Sequence, residues 1–273
     1  MKEPYIPSAS YNLWSMFKPA VGKEEWYCDM KRGFTKVRHK EPEVKALLDQ
    51  DTIHQEIGKL AQRGVYEFHQ DIILLEKSDG VEIVAEILKL KEKSDEAQVR
   101  VISILHKYYQ QPILLEKNII SLSSGDEGFP NPIRIQQGSY IFNLYAPTDC
   151  MFSEPDGKVH ILDFKTGKSN FDRRQAYVYL LAASYLHPQQ PAIASFYNLE
   201  NGLASEIITA SAEKLKFVEI ELEEISKRHE NEKRLYRKNL DDFAKIFPPN
   251  PGITCKYCAF KSICKFSQCE VVQ

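Results

Sequence analysis

The stretch that most restricts the fold is a pair of apolar runs, 133–152 and 158–165, separated by Glu154-Pro155-Asp156-Gly157. Proline followed by Asp-Gly presets a tight reversal, so the pair reads as two strands joined by a turn. Val159-His160-Ile161-Leu162 reads as a buried strand, and it runs directly into Asp163-Phe164-Lys165. Residues two apart in a strand share one face, so Asp163 and Lys165 point the same way. Asp149, placed late in the preceding strand, can be brought alongside them by pairing. Charged groups at the end of a buried strand need a partner or a purpose, because desolvating them alone is costly.

Two adjacent carboxylates repel unless a cation neutralises them. Oxygen donors of this kind suit Mg²⁺ or Mn²⁺. Such an ion can bind a phosphate oxygen and lower the pKa of a bound water, while a nearby ammonium stabilises developing charge. That chemistry cuts phosphodiesters. An Asp-x-Lys pair by itself is common on solvated hairpins; the buried strand leading into this one sets it apart.

The remaining chain reads as alternating helices and strands. A helix is expected over 42–61, where Leu47, His54, Ile57 and Ala61 recur at helical spacing. Two more fit 80–93 and 95–110, the second opened by Ser94-Asp95-Glu96. Ile113 to Ile120 suggests a strand, 172–186 a helix, and 192–198 with 203–209 a hairpin near Asn201-Gly202. One long helix is expected over 212–246, carrying an apolar stripe interrupted at His229 and Glu232 and ended by Pro248-Pro249. The expected organisation is a single domain, 1–273: an N-terminal segment over 1–40 with Cys28, a core over 41–210, and a long helix with a Cys-rich lobe over 211–273.

Cys255-x2-Cys258-x5-Cys264 is a tight thiolate cluster, with Cys269 just beyond it and Cys28 far upstream. In a reducing compartment such spacing reads as a metal site before it reads as disulfides. Two assignments fit four thiolates: Zn²⁺ on Cys255, Cys258, Cys264 and Cys269, or a [4Fe–4S] cluster on Cys28, Cys255, Cys258 and Cys264. Cys150, on the alternate face from Asp149, reads as core.

Asp163-Phe164-Lys165-Thr166-Gly167 resembles the D-[YF]-K-T-G signature of RecB-like nucleases of the PD-(D/E)XK class. That family also carries a histidine on an upstream helix, an aspartate in the preceding strand, and Q-x-x-x-Y on the following helix. Here those elements stand as His54, Asp149, and Gln175 with Tyr179. The motifs cover roughly residues 40–200, with Pro147-Thr148 and Asp51 where the family favours glycine. The resemblance implies an α/β PD-(D/E)XK, restriction-endonuclease-like core: a central mixed sheet flanked by helices, with a C-terminal helix and an iron–sulfur lobe. It implies His54, Asp149, Asp163 and the Phe164 carbonyl as Mg²⁺ or Mn²⁺ ligands, Lys165 acting on the water nucleophile, and Gln175 and Tyr179 holding DNA. CRISPR-associated RecB-like exonucleases and related helicase–nuclease subunits share the cysteine order and spacing, which favours the iron–sulfur assignment.

The expected function is therefore a metal-dependent DNA nuclease, an exonuclease on single-stranded DNA by resemblance. The rival is a DNA-binding or scaffold subunit that does not cut and carries a structural zinc or iron–sulfur site. The formal net charge of −2 argues against a protein that coats DNA nonspecifically, so cations must be gathered locally. Candidates are Lys31, Arg32, Lys36 and Arg38 near Cys28, Lys256, Lys261 and Lys265 within the trio, and Lys168, Arg173 and Arg174 beside the acidic strand. Trp14, Phe17, Tyr108 and Tyr109 read as core before base-stacking groups, and His69, His106 and His160 as structural. No Walker-type motif appears, so unwinding would need a helicase or other nucleic-acid-processing partner. No apolar run of about 18 residues suggests a membrane span, and Met-Lys-Glu-Pro-Tyr lacks a leader's apolar region, so a cytoplasmic location is expected.

Overall fold

The computed structural model describes residues 5–128, 130–167 and 171–267. In chain order its main elements are β1 (Ser8–Ser10), α1 (Tyr11–Phe17), α2 (Asp29–Lys36), α3 (Pro42–Leu48), α4 (Ile53–Gln70), α5 (Gly80–Ile87) and α6 (Asp95–Gln110). They continue with β2 (Asn118–Leu122), β3 (Ile133–Gln137), β4 (Tyr140–Tyr145), β5 (Cys150–Ser153) and β6 (Val159–Lys165). The last are α7 (Arg173–Leu186), β7 (Ala192–Asn198), β8 (Leu203–Ala204), α8 (Ala212–Lys238) and α9 (Phe243–Ile246). The chain divides into two compact units, each assembled from separated segments. One comprises 1–50, 134–144 and 219–273; the other comprises 51–133 and 145–218.

The second unit holds a five-stranded mixed sheet in the order β2-β5-β6-β7-β8. β6 is the central strand. It pairs antiparallel with β5, Cys150 opposite Leu162, and parallel with β7, Asp163 opposite Phe196. A parallel pair needs a crossover, and α7 supplies it. Six of the seven β6 residues are buried, as a strand covered on both faces should be. One face, through Val159 and Ile161, packs with Ala176, Tyr179 and Leu180 of α7. The other, through Leu162 and Phe164, packs with Ile57, Ala61 and Val65 of α4 and with Val101 and Leu105 of α6. α4 and α6 lie close because Gly64 leaves room: a Cβ there would stand 2.3 Å from Leu105 Cδ2.

The first unit has a three-stranded sheet, β1-β4-β3, with α1, α2 and the C-terminal lobe. Met30, Phe34, Val44 and Phe260 form its buried cluster beside the cysteines. Arg32 is fully buried there, paired with Asp29 and with Glu232 at 2.6 Å, its guanidinium 3.9 Å above the Phe17 ring. This explains the interruption in the α8 stripe: Glu232 faces Arg32, and His229 lies 3.4 Å from the same guanidinium.

Several expectations change. The helix expected over 42–61 is two: Asp49–Asp51 break it, and Thr52 starts α4 with a reciprocal capping box to Gln55 that carries the helix on to Gln70. The run 133–152 is three strands, and Asp149 precedes β5 instead of lying inside a strand. The strand expected from Ile113 begins only at Asn118. The long helix stops at Lys238, where Asn239 takes up extended backbone and caps a short 3₁₀ turn. Cys150 is core, as expected, and burial pushes its thiol up to about 12. Arg32 is not available to DNA, and Arg38 is paired with Glu41. Trp14, Phe17 and Tyr108 are buried. Cys269 and Lys168 lie outside the described residues.

Candidate active site

The end of β6 and the start of α7 build an acidic pocket in the second unit. Pairing of Cys150 with Leu162 carries Asp149 up beside Asp163 in the same register. Asp149 Oδ2 accepts the Phe164 N–H at 2.7 Å and its carbonyl accepts the Ser123 N–H at 2.8 Å, while Gln62 of α4 donates to the Ser123 carbonyl at 3.4 Å and lies close enough to favour the charged Asp149 carboxylate. Asp163 is 2% exposed. Its Oδ1 accepts the Tyr179 hydroxyl at 2.6 Å and the Gln175 amide at 3.0 Å. The spacing of Gln175 and Tyr179, one helical turn apart on α7, is what lets both reach one oxygen.

Asp163 Oδ2 lies against the Lys165 ammonium as an ion pair, yet no donor reaches it with hydrogen-bond geometry. Lys165 Nζ directs its well-formed hydrogen bond to Gln175 Oε1, at 3.1 Å. At this buried oxygen the Lys165 ammonium supplies the compensating charge, a place that a divalent ion would take over. Asp149 points the same way. Burial, and then the charge of Asp163, push its carboxyl from the usual 3.8 up to about 8. Burial and the same charge hold the Tyr179 hydroxyl well above the usual tyrosine range, so it remains a donor.

The two carboxylates fit a divalent ion of the Mg²⁺ kind, which characteristically takes one or two carboxylates and fills its remaining positions with water and substrate oxygen. Among the described residues, no group of three or more His, Cys, Asp or Glu side chains stands arranged around a common metal position. His54 in particular is engaged elsewhere: Arg100 Nη1 lies 3.2 Å from its Nδ1, and Arg100 in turn pairs with Glu200. Because arginine only donates, Nδ1 is the acceptor and a neutral ring carries its proton on Nε2. Neither ring nitrogen then offers a lone pair to an ion. His54 nevertheless shares a face of α4 with Gly58, where a Cβ would meet Thr166 Oγ1 at 3.4 Å, and with Gln62.

The structure therefore brings Asp149, Asp163, Lys165, Gln175 and Tyr179 together. Gln175 and Tyr179, expected against DNA, are turned inward onto Asp163. Gln62 was missed by sequence reasoning. Its only signal was periodic, two turns after His54 on the same helix face. Arg174 pairs with Asp172 and Arg173 with Glu206 at 2.6 Å. His160 is structural, held between Glu154 at 2.6 Å and Ser195 at 2.7 Å.

In the first unit, Cys28, Cys258 and Cys264 pack on the same hydrophobic cluster, and Cys255 lies just ahead of Cys258 in the same short lobe. These thiols are free. Burial raises the Cys258 thiol, with the nearby sulfurs of Cys28 and Cys255 adding to the effect and Lys31 opposing it.

A mixed sheet with helices on both faces, carrying a carboxylate pair and a lysine at the end of its central strand, defines an α/β protein with an acid–amine centre. The chain belongs to the PD-(D/E)XK nuclease superfamily, whose family model matches residues 30–265. No curated protein sequence matches the chain. Among solved structures, a protein from Eubacterium rectale assigned provisionally as an exonuclease is similar at 11% identity, with a TM-score of 0.42, over 88% of this chain and 81% of that one. The protein SSO0001 is similar at 12% identity, with a TM-score of 0.30, over 91% of this chain and 98% of its own. At these scores neither likeness bears on function. No helix among the described residues is long and apolar enough to cross a membrane.

Proposed function

We propose that this chain is a deoxyribonuclease of the RecB-like type that hydrolyses phosphodiester bonds in single-stranded DNA as an exonuclease. The observation that carries the reading is the Asp149–Asp163 carboxylate pair with the Lys165 ammonium against it, in a chain of the PD-(D/E)XK superfamily. Nucleases of this superfamily generally use Mg²⁺ or Mn²⁺. Asp149 and Asp163 would hold such an ion, with the Phe164 carbonyl as a further donor and His54 joining once Arg100 releases it. When bound, a divalent ion supplies Lewis-acid polarisation of a phosphodiester oxygen and neutralises the paired carboxylates. Tyr179 and Gln175 fix the Asp163 carboxylate through Oδ1 and so keep Oδ2 turned toward Lys165. Relieved of its pairing with Asp163, Lys165 has its ammonium free to stabilise the charge that develops on the scissile phosphate.

We further infer that Cys28, Cys255, Cys258 and Cys264 hold a [4Fe–4S] cluster that staples the two ends of the chain. The packing of Cys28, Cys258 and Cys264 on one hydrophobic cluster, with Cys255 in the same short lobe, supports this. The service would be in DNA repair, recombination or defence, in the cytoplasm, beside a helicase or similar processing subunit.

One observation favours a second reading, a DNA-binding or scaffold subunit that does not cut. Lys165 closes on Asp163 and Arg100 on His54, as in a centre that has no use for an ion. Labelled single-stranded DNA incubated with the protein and Mg²⁺ or Mn²⁺ separates the two. Cleavage that disappears in Asp163→Ala and Lys165→Ala, with DNA binding kept, supports the enzyme. Binding without cleavage in the wild type leaves the scaffold.

A further inference from the structure

The cysteine lobe carries an aromatic pair that neither the acidic centre nor the metal staple explains. Trp26 and Tyr257 stack with ring centroids 6.1 Å apart and planes at 28°. Both stay open to solvent, 43% and 66% exposed. Lys256 Nζ stands 4.6 Å from the Tyr257 ring centre. The segments bearing them are held independently of the rings: Asn250 donates to the Tyr27 carbonyl at 2.7 Å and Thr254 to the Glu25 carbonyl at 3.1 Å. The stack is therefore not needed to join the ends, and a large aromatic surface left in water is unfavourable without a ligand to cover it.

We propose that the stacked Trp26–Tyr257 pair, with Lys256 at its edge, is a base-stacking platform for single-stranded DNA. The class of ligand follows from the chemistry. Every base has a π face that an exposed indole or phenol can cover, and an adjacent ammonium meets the phosphate between bases. Lys256 has no carboxylate partner among the described residues, and exposed Lys23, Lys31 and Lys261 share the same lobe, also without one. Glu24 and Glu25 precede Trp26 and offset part of that charge, so stacking supplies more of the affinity than phosphate pairing does. The salt dependence of binding should accordingly be shallow. A duplex, whose bases are already stacked on one another, cannot use the platform. The proposal rests on the reading of the chain as a protein that handles single-stranded DNA, and it adds where that strand is held.

The test is equilibrium binding of a fluorescein-labelled oligo-dT to the full chain in EDTA, read by anisotropy and by intrinsic tryptophan fluorescence. The chain has two tryptophans, and Trp14 is buried, so quenching reports Trp26. The expected result is quenching on addition of oligo-dT, with affinity reduced roughly ten-fold or more in Trp26→Ala and in Tyr257→Ala. Trp26→Phe and Tyr257→Phe, which keep a ring, should bind within a few-fold of wild type. Unchanged wild-type tryptophan fluorescence, or an alanine double variant that binds as the wild type does, overturns the platform. The fluorescence readout needs no variant, so a misfolded mutant does not spoil the test. Adding Mg²⁺ to the same mixtures separates the two ideas. Trp26-dependent binding without cleavage keeps the platform and removes the nuclease, and cleavage with normal binding in the double variant does the reverse.

Discussion

Replacing Asp149 by asparagine should stabilise the metal-free protein, the opposite of what removing a buried hydrogen-bonding side chain normally does. The substituted amide keeps an oxygen to accept the Phe164 N–H but removes one of two desolvated carboxylates. In the folded chain burial and Asp163 hold the Asp149 carboxyl up to about 8, whereas an ordinary aspartate titrates near 3.8. A group raised in the folded state contributes most below its unfolded value. Its contribution is then lost as pH climbs toward the folded one. Near pH 7 the fold retains a proton that the unfolded chain released about three pH units lower, at about 1.4 kcal/mol per unit, which sets a ceiling of about 4 kcal/mol. The assay is denaturant unfolding from about pH 5 to pH 8.5 in EDTA and again in Mg²⁺, a range that covers the upper part of this loss. Relative to Asp149→Asn, wild type should weaken as pH rises in EDTA, on top of the gain that both share below about pH 6.5 because burial keeps His69 and His229 neutral in the fold. Magnesium should restore it, by about 2.7 kcal/mol at a hundred-fold excess over the dissociation constant. Asp149→Asn should lack that loss and respond little to the metal. A variant less stable than wild type in EDTA near neutral pH, or a difference between the two proteins that is indifferent to both pH and Mg²⁺, would refute the reasoning.

Lys165→Met should reduce cleavage of single-stranded DNA by roughly a hundred-fold or more while leaving Mg²⁺-induced stabilisation in place, measured by single-turnover kinetics alongside melting. Gly64→Ala should destabilise by about 1–3 kcal/mol, since its Cβ would stand 2.3 Å from Leu105 Cδ2 between α4 and α6; an unchanged unfolding midpoint would contradict that packing. Cys258→Ser, purified anaerobically, should lose visible iron–sulfur absorbance and unfold the lobe at lower denaturant, because the metal and the closure of the chain ends are coupled. A colourless wild type that binds zinc would redirect the assignment.

The sequence is most legible where local chemistry decides the structure. The turn at Glu154–Gly157, the apolar run that opens β6 and the caps at Ser94 and Asp172 each sit where their residue types require. What it hides is pairing at a distance. Arg32 reads as one cation in a basic run, and only the fold reveals Glu232, two hundred residues away, as the partner that allows its burial. The same holds for Gln62, an ordinary helix residue until α4 packs over Asp149. The break after Leu48 was hidden because the apolar spacing continues through it, while the Thr52–Gln55 capping box that starts a new helix looks like helix interior. Direction was also hidden. The interval between Gln175 and Tyr179 places both on one face of α7, but it does not say whether that face looks outward to DNA or inward to Asp163.

The most direct test is a crystal structure of the protein soaked in Mn²⁺, with the ion located by its anomalous scattering. The expected peak lies in the second unit, bonded to Asp163 Oδ2 and to the Asp149 carboxylate, with Lys165 withdrawn from its pairing with Asp163. Crystals of protein that cleaves DNA in Mn²⁺, yet show no ion at that pair or show it held by other residues, would contradict the assignment of the centre.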